Sequence, residues 1–254
     1  MKLATWNVNS IKARHERLLA FLARESPDVV CLQETKVLDE AFPHLELRAA
    51  GYYAVHLGQR AYNGVAILSK EEPRDVFTGM KDDGEEEHAR LIGARFGDVH
   101  VISAYFPNGG DMGSDKYAYK LSWLKRLREE LDRRFTADDS VALCGDYNVA
   151  PYPDDVSLKD FEGSVLANPE IRSALEHVAA FGLTDVVRPF HPKGGVYTWW
   201  DYRAMGFERN HGLRIDHVYA TPSVAGRVIG AVVDRNERKG KGASDHAPLL
   251  VELE

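Results

Sequence analysis

Short apolar runs, each closed by a polar residue, set the rhythm of this chain. Leu3-Ala4-Thr5-Trp6, Val29-Val30-Cys31-Leu32 and Val141-Ala142-Leu143-Cys144 are rich in β-branched or large residues and bounded by turn formers, which predicts buried strands. Further strands are expected at Val65 to Ser69, Leu91 to Phe96, Val99 to Tyr105, Arg214 to Ala220, Val228 to Val233 and Leu249 to Leu253. Three segments carry helical spacing instead. Arg14 to Arg24 places Leu18, Phe21 and Leu22 on one face, and Lys116 to Phe135 repeats Leu121, Leu124, Leu127, Leu131 and Phe135 between charged residues. Asn168-Pro169 supplies an N-cap and a first-turn proline for a third helix, expected to stop at Gly182. Adjacent strand pairs interspersed with helices predict an α/β protein with helices outside mixed sheet. No linker, composition break or repeat divides the 254 residues, so a single domain spanning 1–254 is expected.

The polar residues that end these runs carry the candidate chemistry. They fall in Trp6-Asn7, Leu32-Gln33-Glu34-Thr35-Lys36, Gly145-Asp146-Tyr147-Asn148 and Ser244-Asp245-His246-Ala247-Pro248. One Asn or Asp after a strand is ordinarily a turn former or helix cap. Its recurrence at several strand ends points to groups gathered at one sheet edge. Buried carboxylates in company are disfavoured by desolvation and by mutual repulsion, so a cation is their natural partner. Carboxylate and amide oxygens suit hard ions, Mg²⁺ first and Mn²⁺ second, rather than a zinc cage.

Charge changes the picture only through its distribution. The net charge of −7 argues against a protein that coats nucleic acid indiscriminately. Between Val186 and Lys241, however, ten basic residues stand against five acidic ones, which leaves −12 on the remainder. Such polarity fits either a side that grips phosphates or ordinary surface variation. In the same region lies Tyr197-Thr198-Trp199-Trp200-Asp201-Tyr202-Arg203. Neighbouring tryptophans in a strand point to opposite faces, so one can pack in the core while the other meets a groove. The acidic stretch 82–87 is a poor neighbour for a polyanion. Cys31 and Cys144 sit inside apolar runs and are expected to be reduced. Asn7 interrupts the N-terminus before a signal-like apolar stretch forms, and nothing approaches a membrane span, so a soluble, intracellular protein is expected.

Taken together, these motifs closely resemble the exonuclease III family of apurinic/apyrimidinic endonucleases, within the endonuclease/exonuclease/phosphatase superfamily. The resemblance runs from Leu3-Ala4-Thr5-Trp6-Asn7 to Ser244-Asp245-His246-Ala247-Pro248 and includes Tyr105-Phe106-Pro107-Asn108-Gly109, Trp199-Trp200-Asp201-Tyr202-Arg203 and Gly212-Leu213-Arg214-Ile215-Asp216. The superfamily's core motifs alone also fit phosphatases and phosphodiesterases acting on other phosphate esters. The tryptophan segment and the segment after Tyr105 select the DNA-repair branch.

The resemblance implies a four-layer sandwich, two mixed β-sheets packed face to face and flanked by helices. It implies damaged double-stranded DNA as substrate, Mg²⁺ as cofactor with Mn²⁺ able to substitute, a monomer, and a cytoplasmic address, nucleoid-associated in a prokaryote. Glu34 would be the principal metal ligand, helped by Asn7 and by Asp245, or by Asp146 and Asn148 at a second metal position, with His246 also on the metal side and the number of ions, one or two, left open. Asp146 would activate water. Asn148 would share an extended segment with it and reach the phosphate or the water. Asp216 would orient His246 on the scissile phosphate, and Tyr105 would serve as hydrogen-bond donor or base. Trp199 would wall the lesion pocket, with Arg90, Lys120 and Arg203 as phosphate contacts. His217, next to Asp216 in a strand, would face away and be structural. His211 stands where relatives usually carry Arg or Lys, which puts one backbone contact in doubt.

Overall fold

Alternation within the central strands dictates the layering. The structure, a computed structural model, describes residues 1–81 and 88–254 apart from the side chain of residue 160, so the acidic stretch 82–87 lies outside the described residues. Along the chain run β1 (Lys2–Asn7), α1 (Ile11–Glu25), β2 (Val29–Gln33), α2 (His44–Ala49), β3 (Tyr53–Leu57), β4 (Val65–Ser69), β5 (Arg74–Thr78), β6 (Leu91–Phe96), β7 (Val99–Tyr105), α3 (Asp115–Arg134) and β8 (Val141–Asp146). There follow α4 (Pro169–Ala179), β9 (Thr184–Asp185), β10 (Trp199–Trp200), β11 (Gly212–Leu213), β12 (Asp216–Ala220), α5 (Pro222–Ala225), β13 (Val228–Val233) and β14 (Leu249–Leu253). One sheet has the order β13-β14-β1-β2-β4-β3, the other β5-β6-β7-β8-β12-β9, and β10 pairs with β11 as a separate ribbon.

Successive side chains of a strand point to opposite faces, and here both faces are covered. Leu3, Val29, Cys31, Val65 and Ile67 of the first sheet meet Ile92, Val101, Ala142, Cys144 and Val218 of the second in a shared core. The alternate residues Ala4, Trp6, Val30 and Leu32 pack outward on Leu18, Phe21 and Leu22 of α1. On the far side, Ile102, Val141 and Leu143 pack on Trp123, Leu124 and Leu127 of α3 and on Leu175 of α4. The result is the four-layer sandwich. Both cysteines are free and buried in its middle, where burial and the neighbouring Cys31 push the Cys144 thiol well above its ordinary pKa. Among the described residues no helix is long and apolar enough to cross a membrane.

Helix starts follow their caps. Ser10, Ser114 and Asn168 accept from Ala13, Tyr117 and Ile171 backbone N–H groups at 3.4, 3.2 and 3.0 Å. The third helix stops at Ala179 rather than at Gly182, because the chain reverses through Gly182 at φ +120°, where Leu183 N–H bonds Ala179 O. The strand expected from Arg214 begins only at Asp216. Arg214 N–H is drawn instead to Asp155 O, and its guanidinium is locked between the carboxylates of Asp155 (2.8 Å) and Asp185 (2.7 Å).

A polar cluster crosses the otherwise apolar seam between the sheets. Gln33 Nε2 donates to Thr5 Oγ1 and to Ser103 Oγ, both at 3.1 Å, and Ser103 Oγ donates to Leu32 O at 3.2 Å. Gln33 and Ser103 belong to different sheets, immediately below the edge where β1, β2, β7 and β8 end.

Candidate active site

Parallel pairing brings the polar strand ends together. β1 runs parallel to β2 and β7 to β8, so Asn7 lies beside Gln33 and Tyr105 beside Asp146, while antiparallel β12 sets Asp216 opposite Asp146. Immediately beyond the strands the backbone turns sharply. Asn9, Glu34, Lys36 and Asn148 all have positive φ (45°, 51°, 56° and 49°), the left-handed region that side-chain-bearing residues seldom occupy and that marks functional sites. Gly145 is bare for a different reason. A Cβ there would sit 1.9 Å from Ala104 O, so only glycine lets β8 approach β7 one residue before Asp146.

The carboxamide of Asn7 bridges the two sheets, donating through Nδ2 to Glu34 Oε1 and to Asp146 Oδ2, each at 2.9 Å. Glu34 Oε2 pairs with Lys36 Nζ at 2.7 Å, and Lys36 also donates to Asn9 Oδ1 at 2.6 Å. Asp146 accepts the Asn148 backbone N–H at 2.9 Å. Asn148 therefore stays near Asp146 through a tight side-chain turn, not through the extended segment expected from its spacing. Its carboxamide donates to Phe106 O at 3.0 Å and to Asp146 Oδ2 at 3.3 Å. His246 holds its Nδ1 2.8 Å from Asp216 Oδ2 and points Nε2 towards Asp146 Oδ2, 3.8 Å away. The second Asp216 oxygen is buried without a partner.

The carboxylates of Glu34, Asp146, Asp216 and Asp245 thus gather around His246, and Lys36 pairs with Glu34. Burial opposes charge on His246, but Asp216 and then Asp146 outweigh it and raise its pKa to about 10. Burial also raises Asp146, to about 7, with Asp216 and Glu34 adding to the rise and His246 opposing it. Glu34 is held below its usual value because Lys36 and the Asn7 hydrogen bond overcome its burial.

Oxygen donors in a buried cleft suit a hard divalent cation. Glu34, Asn7 and the facing Asp146 have the chemistry to hold one. Donor atoms of Asp146, Asp216 and His246 also lie within 4.8 Å of one another. Nδ1 of His246 is engaged by Asp216, and Asp216 and Asp146 favour its protonated form, which donates hydrogen bonds.

The remaining expected residues divide. Asp245 accepts from Asn9 Nδ2 through one oxygen and from Trp199 Nε1 through the other, at 3.0 Å each, and so anchors Trp199 while each oxygen keeps a further lone pair. Trp199 is half-buried against Phe161, Leu213 and Ile215, while Trp200 is fully buried, which realises the expected split of the pair. Burial, with Glu34 and Asp146 nearby, pushes the Tyr105 phenol well above its ordinary value, which favours the protonated, hydrogen-bond-donating form. Arg90 lies over the Tyr105 ring, 4.9 Å from its centroid, and donates to Tyr105 O at 3.3 Å. Lys120 is not offered to a phosphate. Its buried ammonium donates to the carbonyls of Asn108, Asn148 and Val165 (3.2, 2.7 and 2.7 Å) and ties three site-bordering loops together. Burial draws its pKa down to about 7 against the pull of Asp146. Arg203 stays exposed on the surface, paired with Asp201 at 3.0 Å. His217 is buried, between Arg214 and Val149 O, as its strand parity implies. Sequence reasoning assigned no role to Lys36 or Asn9, although each lies two residues from a residue it singled out.

The model of the endonuclease/exonuclease/phosphatase family matches residues 4–246. The chain is 33% identical to exodeoxyribonuclease III of Haemophilus influenzae over 266 aligned positions that cover 100% of both proteins. Among solved structures it is similar to an AP endonuclease from Archaeoglobus fulgidus, with TM-score 0.96, 39% identity and coverage of 100% of this chain and 99% of that one. The 3′ phosphatase NExo from Neisseria, bound to a product DNA hairpin, superposes with TM-score 0.96 at 36% identity and covers 100% and 99% of the two chains. With both sheets delivering acidic strand ends to one imidazolium, and with full-length matches of this kind, the chain belongs to the endonuclease/exonuclease/phosphatase family, in its exonuclease III branch of apurinic/apyrimidinic endonucleases.

Proposed function

We propose that this chain is a DNA-repair nuclease that hydrolyses the phosphodiester 5′ to an abasic site in duplex DNA and leaves a 3′ hydroxyl. The same chemistry at a 3′ end gives 3′→5′ exonuclease and 3′-phosphodiesterase or phosphatase activity. The observation that carries this reading is the buried Asp216–His246 pair aimed at Asp146 beside the half-buried face of Trp199.

Asp146 accepts the proton of the attacking water, a role that needs a carboxylate within hydrogen-bond reach. Burial raises its pKa, with Asp216 and Glu34 adding to the rise, and so strengthens it as a base. Asn7 and the Asn148 backbone hold its two oxygens in place. His246 presents a cationic Nε2–H to the scissile phosphate, and Tyr105 donates its phenolic proton towards the phosphate or the departing 3′ oxygen. Mg²⁺, with Mn²⁺ able to substitute, would be held by Glu34 and Asn7 and would neutralise phosphate charge. An abasic sugar leaves the stack without losing base stacking, and the partly exposed Trp199 and Phe161, backed by the buried Leu213 and Ile215, offer it an apolar wall. The protein acts as a monomer in the cytoplasm.

Incision of an end-labelled duplex with one abasic-site analogue, beside an undamaged duplex with a recessed 3′ end, tests the reading. Metal-dependent cutting at the lesion, abolished by chelator, is expected. Turnover of a soluble phosphomonoester with neither duplex cut would replace it with a phosphatase acting on a small substrate.

A further inference from the structure

The tryptophan pair separates two environments. Trp199 turns towards Asp245, whereas Trp200 bonds Asn210 Oδ1 through Nε1 at 3.3 Å and meets Phe207 edge-on at 5.1 Å. On that far side Phe207, Glu208, Arg235, Arg238, Lys239 and Gly240 line an open cavity of about 610 Å³.

Two guanidinium groups flank the same Phe207 ring there. Arg235 lies 5.2 Å and Arg238 5.4 Å from its centroid, while Arg235 also covers Trp200 at 5.2 Å and Arg238 covers Tyr202 at 4.9 Å. Stacking fixes both forks in place. Among the described residues neither has a carboxylate at ion-pair distance. The adjacent acids are already taken, Glu237 by Arg17 and Arg24, and Asp234 by Arg24. Asp201, whose charge Arg238 feels, is paired with Arg203. Arg238 donates through Nη2 to Trp200 O at 3.2 Å, yet its buried Nε has no partner. Lys239 is tied to the neutral Asn236 carboxamide at 2.8 Å. Glu208 is the one acidic residue of the lining. Like charges gathered on one ring, with no carboxylate among the described residues at ion-pair distance, call for an anion with several acceptor oxygens.

We propose that this cavity is a second phosphate subsite that takes a backbone phosphodiester of duplex DNA away from the scissile bond. The assignment rests on the DNA reading above. A duplex is favoured over a free anion because Arg235 and Arg238 of the cavity stack on Trp200 and Tyr202, which follow Trp199 of the catalytic cleft directly in the chain, so one polyanion can lie on both sides of that segment. It also gives a role to the basic stretch that catalysis leaves unused.

The test compares wild type with Arg235→Gln, Arg235→Gln/Lys239→Gln and the charge-keeping Arg235→Lys, with incision of the abasic duplex measured over a range of salt. Arg235 and Lys239 are exposed, so these variants keep the fold. Each lost contact is expected to raise KM several-fold at unchanged kcat and to flatten the slope of log KM against log salt by about 0.9, with Arg235→Lys retaining the slope. Wild-type KM and slope in both Gln variants, while the wild type incises normally, would overturn the subsite. Failure of the wild type to incise would instead overturn the nuclease reading beneath it. Inorganic phosphate is the control for a free anion. If it shifts the Arg238 Nε–H resonance while the variants bind duplex as the wild type does, the cavity holds a free anion and the duplex assignment fails.

Discussion

Replacing Asp216 with Asn should move the pH dependence of the enzyme, not merely lower its rate. Asp216 Oδ2 lies 2.8 Å from His246 Nδ1 in a buried setting and is the largest influence favouring the imidazolium. Taking charge centres about 4 Å apart and an effective dielectric of about 20, the interaction amounts to ~4 kcal/mol, or ~3 pKa units. His246 should then fall from about 10 to roughly 7. Asp216 also raises Asp146, so the Asp146 value of about 7 should fall as well. On the proposed mechanism, wild-type activity requires ionised Asp146 and protonated His246 and is expected to be bounded below by the first and above by the second. In Asp216→Asn both limbs slide towards acid. At a pH one unit above the new His246 value, the loss attributable to charge alone is roughly tenfold and is recovered on acidification. A profile of kcat/KM against pH at fixed ionic strength and saturating Mg²⁺ measures both limbs, and the His246 ring resonances report its titration directly. If both limbs stay at their wild-type positions while the whole curve drops, Asp216 acts by orientation and the electrostatic argument fails.

Three further outcomes follow from particular contacts. Gly145→Ala would place a Cβ 1.9 Å from Ala104 O, so β8 must shift where it delivers Asp146; a cost of about 2–4 kcal/mol in urea titration and a fall in kcat of at least about tenfold are expected. Lys120→Met leaves three buried carbonyls without their donor and should cost about 3 kcal/mol with a lowered kcat, whereas a phosphate-contact role would raise KM at unchanged stability. Trp199→Ala removes the pocket wall and its bond to Asp245, so KM for the abasic duplex should rise about tenfold or more while cleavage of an undamaged recessed end changes less.

What the sequence disclosed and what it hid have physical explanations. Asn7, Glu34 and Asp146 were visible because a buried apolar strand that ends in a carboxylate or carboxamide is unusual enough to read locally. Of the edge strands, β5 escaped notice because it is mostly exposed and presents no apolar run, whereas β3 was missed although Tyr53, Ala54, Val55 and Leu57 are apolar. Lys120 was misread because a lysine on an amphipathic helix looks solvated. The carbonyls that bury it come from Asn108, Asn148 and Val165, distant loops whose convergence is a tertiary fact. Lys36 and Asn9 earned no role for a similar reason, since polar loop residues gain meaning only from the left-handed turns that aim them. The extended strand expected from Arg214 failed because Asp155 and Asp185 captured its guanidinium, a pairing that no local pattern announces.

The hydrogen bonds from Gln33 to Thr5 and Ser103 have a bearing on how the enzyme would fail. Two sheets joined only by apolar side chains can slide with little penalty, since dispersion contacts are non-directional and exchange readily for their neighbours. A directional bond between them acts as a dowel, and this one lies directly under a reaction centre whose halves belong to different sheets. Misalignment too small to expose core or melt a strand would still part Asn7 from Asp146. Catalysis is therefore a finer gauge of sheet alignment than any measure of secondary structure, and mild denaturant should silence the enzyme before it unfolds it.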